Sequence, residues 1–436
     1  MKNKFIRSTI ILIFGGGITK LLAMGIKIFL TRSIGDEGIG LYMIVLPTFN
    51  LFITLCTLSL STAVSKLIAE KGQGRKIILP LIPFSLIYNL ILMIVLILLA
   101  PSIANRLLNN SMAYYPIMGI SFTLPFICIS NILKGYFYGK ERMGPYVISN
   151  IVEQMVRLLL IIFIIPKLLV FGISKAVLGV VLINVVSEFS SIVCLLLFMP
   201  KNKINLRDFK CQDGVMKDVL NISLSATGSR LIGSISYFLE PVILTFVLTM
   251  VGYDNDFIVR EYGIITGYVY PLLLIPSFFT MAISTSLLPV IANNYSRGNY
   301  SYTKKKLKQA LVISVIIGVV FTVVVMIIPG PLLKIIYNTT LGEKYIMAVA
   351  PFFLLHYIQG PLTSYLQAVD KSKEAMIGTF VGAIIKNLLL LVLPFFLGIW
   401  GFVVASVVNI IYVSVQHVYY AKKSLGKDKK DIQTIL

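Results

Sequence analysis

The sequence predicts an all-α polytopic membrane protein of about twelve transmembrane helices in two six-helix lobes, with both termini in the cytoplasm. Three observations carry this prediction. Of the 436 residues, 57% are hydrophobic and only 13% charged, whereas a soluble domain is about 25% charged. Apolar runs of roughly 20 residues recur along the whole length, each long enough to cross a bilayer as a helix. The ~10-residue alternating segments of a β-barrel are missing from the sequence. Finally, Lys and Arg crowd onto alternate connections. If the N-terminus is inside, the inside segments hold groups such as Lys66, Lys71, Arg75 and Lys76, or Arg297, Lys304, Lys305, Lys306 and Lys308. Lys134, Lys140 and Arg142 count among them, and the outside loops hold far fewer. That asymmetry places both ends in the cytoplasm and requires an even number of spans. The net charge of +21 is therefore topological, with affinity for anionic leaflet lipids, and does not point to nucleic acid.

Taken in order, the spans fall at roughly 8–30, 40–65, 77–100, 114–137, 147–170 and 173–198, then 218–250, 262–291, 309–329, 346–368, 376–397 and 400–420, with ends uncertain by ~2–4 residues. The longest polar stretch lies between the sixth and seventh. This divides the chain into a first lobe (1–200), a cytoplasmic linker (201–217), a second lobe (218–421) and a basic tail (422–436). The first apolar stretch is interrupted by Lys20 and shows no small-residue cleavage site, so no cleaved signal peptide is expected. Cys56, Cys128 and Cys194 fall in apolar helices and Cys211 in the linker; they read as small packing residues and give no disulfide framework.

The two halves resemble each other. Ser61-Thr62-Ala63-Val64-Ser65 aligns with Ser284-Thr285-Ser286-Leu287-Leu288, Gly40 meets Gly263 at the same offset, and Pro166 with Gly172 matches Pro394 with Gly401. A smaller offset in the first spans pairs Lys20 with Arg230. Six plus six spans that both start inside are repeats related by an axis along the membrane normal. Pro47, Pro125, Pro271, Pro276, Pro289 and Pro361 lie within spans, where proline removes a backbone hydrogen bond and kinks the helix. Static kinks and bending during gating both fit them.

Charges inside spans are few, and each is costly there. The first span carries Lys20 and Lys27, about two helical turns apart and so on one face. One reading has them lining an internal cationic cavity; the other has them snorkel to the headgroups. Lys20, near mid-span, favours the cavity. Ahead of it, Gly15-Gly16-Gly17 is a soft point and a candidate hinge. Arg157, Arg230 and Lys386 are the remaining bases, and Glu153, Glu188 and Glu240 the acids. Glu153 and Arg157 stand i,i+4 with the acid first, the favourable order for an ion pair. Glu153, Arg157, Glu188, Glu240 and Lys386 are thus structural or coupling charges, while Lys20, Lys27 and Arg230 are candidate substrate-binding residues. Basic groups in a cavity suit phosphate or pyrophosphate through charge-assisted hydrogen bonds. No enzyme signature is found, and no catalytic residue is expected. His356 and His417 are far apart, so no metal site is expected. Gly15-Gly16-Gly17 lacks the following Lys-Ser/Thr of a phosphate loop. No cofactor is expected.

Residues 16–42, with Thr31-Arg32-Ser33-Ile34-Gly35-Asp36-Glu37-Gly38, then Pro47, then Ser65-Lys66-Leu67-Ile68-Ala69-Glu70, resemble the opening of the stage V sporulation protein B-like polysaccharide exporters. Lys134-Gly135-Tyr136 with Gly139-Lys140, and Val152-Glu153-Gln154-Met155-Val156-Arg157, look like that family's fourth and fifth spans. The resemblance implies the multidrug/oligosaccharidyl-lipid/polysaccharide (MOP) flippase superfamily. It further implies a MATE-like fold of two lobes facing each other in a V, in the cell membrane. Alternating access would move an undecaprenyl-(pyro)phosphate-linked oligosaccharide or cell-wall precursor from the inner to the outer leaflet. The partners it implies are the lipid-linked anionic sugar, anionic membrane lipids, and glycosyltransferases or wall-synthesis enzymes. A monomer is expected. Two other readings remain open: a cation-coupled multidrug exporter of the same superfamily, and a non-transporting scaffold for wall or spore synthesis.

Overall fold

The computed structural model of the chain describes residues 2–72, 74–200 and 214–435, with side chains described except at 2–10, 13, 215, 225, 229 and 426–435. Among the described residues there is no strand. By contacts the chain forms two units, Met1–Thr245 and Phe246–Leu436. Most of the expected linker, Cys211 included, and most of the expected tail lie outside the residues so described.

The first unit opens with α1 (Lys2–Thr57). A 56-residue helix would be about 84 Å long, against a hydrocarbon core of ~30 Å. It is in fact two crossings, because Gly35 takes a non-helical φ of 68° with ψ −175°. Such a conformation is open to glycine and strained for other residues. Leu58 and Ser59, both at positive φ, break the second crossing before it resumes as α2 (Leu60–Lys71). There follow α3 (Gly74–Ser102), extended by a π-helical turn, α4 (Tyr114–Gly139), α5 (Met143–Leu169), α6 (Ile173–Leu197) and α7 (Val215–Val251). The break between the units falls inside α7.

In the second unit α8 (Asn255–Gly263) runs through a π-helical segment into α9 (Tyr270–Leu273), then α10 (Ser277–Tyr295). The run bends by 55° between Leu273 and Ser277, where Pro276 removes an amide donor. The rest is α11 (Tyr300–Ile327), the short α12 (Pro329–Tyr337), α13 (Glu343–Ala368), α14 (Ser372–Leu397) and α15 (Trp400–Ile435). Ten described helices are long and apolar enough to cross a membrane, and the bent run makes eleven. The break at Gly35 splits the longest of them, which brings the crossings to the expected twelve.

Each unit repeats the same internal packing. In the first, α4 lies on α2, α3 and α6, and α5 on α6; in the second, α13 lies on α10, α11 and α15, and α14 on α15. The glycine contacts of α4 on α2 and of α13 on α10 correspond too. A Cβ at Gly135 would sit 2.7 Å from the Ser61 carbonyl oxygen, and one at Gly139 equally close to that of Ser65. In the second unit a Cβ at Gly360 would sit 2.8 Å from Ser284 Oγ. Residues 135–139 thus form a small-xxx-small ridge of the kind that lets membrane helices meet backbone to backbone.

Two placements differ from the sequence reading. Lys134, counted there with a cytoplasmic connection, sits inside α4 with its side chain only 13% exposed. The apolar run of α4 continues past it to Phe137, and two carboxylates neutralise it. Gly15-Gly16-Gly17, the candidate hinge, lies in continuous helix, and the break of α1 at Gly35 falls in the connection expected between the first two spans. A Cβ at Gly15 would overlap Val147 of α5, whereas Gly16 and Gly17 face open space.

Candidate substrate cavity and charge network

Within the first unit, a cavity of about 510 Å³ is lined by Asn50, Thr54 and Thr57 of α1, Asn131 of α4, and Arg230, Ser234 and Tyr237 of α7. Local geometry explains the set. Asn50, Thr54 and Thr57 are spaced i, i+4, i+7, and Arg230, Gly233, Ser234 and Tyr237 i, i+3, i+4, i+7, so each series forms one helix face. Thr54 and Thr57 hydrogen-bond to the carbonyls of Asn50 and Ile53, and the Asn50 and Asn131 amides donate to Leu46 and Ile127. Polar side chains are thereby accommodated in apolar helices by their own preceding turn. Side-chain bonds that hold α7 to this surface include Thr54 to Ser234 at 2.6 Å, Ser223 to the Leu58 carbonyl, and Lys71 to Asp218 at 2.6 Å.

A second cavity of about 370 Å³ shares Asn131 and continues along Ser61, Thr62, Ser65, Lys134, Tyr138 and Tyr146. On α4 the lining again runs i, i+3, i+4, i+7 through Asn131, Lys134, Gly135 and Tyr138. From Asn50 to Ser65 the polar lining extends for about 20 Å of helix rise, most of the depth of a bilayer core.

Behind the second cavity lies a buried charge network. Lys134 Nζ is 2.7 Å from Glu153 Oε2 and 3.9 Å from Glu188 Oε2. Arg157 Nη2 reaches Glu153 Oε1 at 2.9 Å and also donates to Ser187 Oγ. The side chains of Glu153 and Glu188 are only 8% and 10% exposed. Two acids and two bases make the cluster neutral, the condition under which charges survive burial. Lys134 also lines the second cavity, so its ammonium lies at the boundary between the network and the space a ligand can occupy.

The sequence-derived candidates divide accordingly. Arg230 lies in the first cavity and is its one charged lining residue among the described residues. Lys20 and Lys27, on the first crossing of α1, are not among the lining residues of either cavity; Lys20 is exposed and Lys27 half-buried. Glu153 and Arg157 form the i,i+4 pair, and Lys134 is the cross-helix neighbour of Glu188. Glu240 is buried on α7, one turn beyond Tyr237. Lys386 belongs to the second unit, its ammonium 5.0 Å from the centroid of the Phe402 ring. The cavity-lining hydroxyl, amide and phenol side chains were not among the candidates. Their signal was polar residues at helical spacing inside apolar spans. For a metal, the described residues offer no group of three or more His, Cys, Asp or Glu. His356 packs on Phe353, and His417 Nδ1 lies 2.6 Å from the Val413 carbonyl.

Residues 5–295 match the family model described as polysaccharide biosynthesis protein, and residues 234–393 match the MatE model. The chain belongs to the polysaccharide biosynthesis protein family. It is 33% identical to the stage V sporulation protein B of Bacillus subtilis (strain 168), over 97% of this chain and 85% of that protein. To the lipid II flippase MurJ of the same organism it is 25% identical, over 89% and 77%. Among solved structures it superposes on the inward-facing conformation of a multidrug resistance MATE family transporter of the MOP superfamily. The TM-score is 0.74 at 18% identity, covering 94% of this chain and 96% of the other. The fold is therefore MATE-like, and the chain is a multi-pass membrane protein.

Proposed function

We propose that this chain is a flippase that carries a polyprenyl-(pyro)phosphate-linked oligosaccharide or cell-wall precursor from the inner to the outer leaflet by alternating access. The observation that carries the reading is a lone guanidinium, Arg230, set among neutral hydroxyl, amide and phenol groups within membrane-spanning helices. A guanidinium binds phosphate oxygens through paired charge-assisted hydrogen bonds. Neutral donors and acceptors suit the hydroxyl and amide groups of a sugar. Lys20 and Lys27 would add positive charge for the headgroup, and Gly16 and Gly17 would let the first helix bend. In this reading residues 1–200 and 218–421 are the two lobes, the termini are cytoplasmic, and the polyprenyl tail stays in lipid.

Similarity to a stage V sporulation protein and to a lipid II flippase supports a lipid-linked substrate. The neutral cluster argues against a drug-exporter site for organic cations at Glu153 and Glu188, because both carboxylates already face Lys134. The test is flipping of a fluorescent undecaprenyl-pyrophosphate-linked glycan in proteoliposomes. Arg230→Ala should reduce the rate by at least tenfold, and Arg230→Lys should recover part of it. Wild-type flipping by Arg230→Ala would remove the phosphate role of this cavity.

A further inference from the structure

We propose that the second unit holds an anionic phospholipid in a groove between the start of α11 and the end of α15. The groove is separate from the Arg230 cavity and does not depend on the flippase reading. It encloses about 490 Å³. Its floor includes Leu311, Val418 and Leu425, partly buried hydrophobic residues that pack on the core beneath. Its rim carries Lys304, Lys308 and Lys422. Lys304 and Lys308 stand i,i+4 and share one face of α11.

Two neighbouring lysines are engaged locally. Lys306 donates to Gln309 at 3.1 Å and lies over the Tyr302 ring, and Lys423 lies over Tyr419. The three rim lysines have no carboxylate or aromatic partner among the described residues. Three ammonium groups thus line one apolar groove without a counter-charge among the described residues.

Position selects the occupant. On α11 the lysines end where the apolar run from Ala310 begins, and on α15 Lys422 follows the apolar run that ends at Ala421. The rim therefore lies where both helices leave the hydrocarbon. A phosphate headgroup on the lysines with an acyl chain on the floor satisfies both surfaces at once. A soluble phosphate leaves the floor wet, and a zwitterionic headgroup brings its own cation to the lysines.

The test uses the full chain in neutral detergent, with thermal stability followed as phosphatidylglycerol, phosphatidylcholine or sodium phosphate is titrated. Phosphatidylglycerol should raise the melting temperature saturably, and salt should weaken the effect. Apparent affinity should fall about five-fold per lysine replaced by Gln, and on the order of a hundred-fold in Lys304→Gln/Lys308→Gln/Lys422→Gln. Leu311→Trp, which fills the floor and keeps every charge, should also weaken binding. Lys306→Gln/Lys423→Gln should leave it unchanged. Wild-type phosphatidylglycerol affinity in the triple variant, an equal shift with phosphatidylcholine, or a full shift with phosphate alone would each overturn the proposal.

Discussion

Replacing Lys134 by Met tests the buried network most directly. Met keeps the volume and apolar stem of the side chain and removes only the ammonium. Glu153 keeps Arg157 at 2.9 Å, but Glu188 loses its lysine with its side chain only 10% exposed. Orphaning one member of a buried ion pair costs ~3–5 kcal/mol, and the retained arginine argues for the lower end, about 3 kcal/mol. If the first unit of 245 residues melts as one, that is a fall in melting temperature on the order of 6 °C. The exposed Lys71–Asp218 pair provides the control: its side chains are 43% and 45% exposed, and its loss should cost no more than about 1 kcal/mol. The assay is the folded fraction after heating, read by size-exclusion of the detergent-solubilised protein. Lys134→Met/Glu188→Gln removes the orphaned charge and should regain at least half of the loss, which a double-mutant cycle reads as coupling. If Lys134→Met melts with the wild type, or the double variant melts no higher than the single one, the network is not a mutually dependent cluster.

Gly135→Ala should destabilise by ~1–3 kcal/mol through overpacking against the Ser61 backbone, read in the same heating assay. Gly16→Ala/Gly17→Ala meets no neighbour and should gain up to about 2 kcal/mol of helix stability; slower flipping in this stabilised variant would be the mark of a bending helix, and unchanged flipping would exclude it. Outward movement of a negative headgroup is downhill in an inside-negative vesicle by ~2.3 kcal/mol per charge per 100 mV, so a potassium diffusion potential should accelerate flipping, and reversing its sign should slow it. Single cysteines placed at both ends of a cysteine-free variant should react with an impermeant maleimide only after the inner face is opened; labelling of either end in intact cells would refute the cytoplasmic assignment.

The spans were legible because an apolar run of bilayer length has few alternatives, and the count of twelve was recoverable for the same reason. The connection between the first two spans was legible from its polar residues, Arg32, Asp36 and Glu37; that the chain turns at Gly35 was not, since sequence gives no sign of a backbone angle. Glu153 and Arg157 could be paired from their spacing, because i,i+4 contact is local. The neighbour of Glu188 depends on how α4, α5 and α6 pack, and sequence order does not encode that directly. Lys134 was misplaced because a lysine near Lys140 and Arg142 has the look of a loop residue. The polar cavity lining was in plain view as Asn50, Thr54 and Thr57, and as Arg230, Ser234 and Tyr237. Their neutral side chains carry no cost as conspicuous as that of a charge inside a span. Gly135 and Gly139 were visible as a pair, but a small-xxx-small ridge acquires its meaning only when Ser61 and Ser65 are found opposite.

That crossing also bears on how the unit can move. Side chains between two helices act as springs, since they change rotamer and let the helices slide or tilt. At Gly135 the nearest atoms of α2 are all main chain, and at Gly139 they are main chain and the Ile68 Cβ, which has no rotamer to change. A displacement there meets backbone atoms, which cannot yield. The two helices are riveted, and any motion that opens or narrows the lined space must be taken up elsewhere, at the joint of Leu58 and Ser59 or along α7.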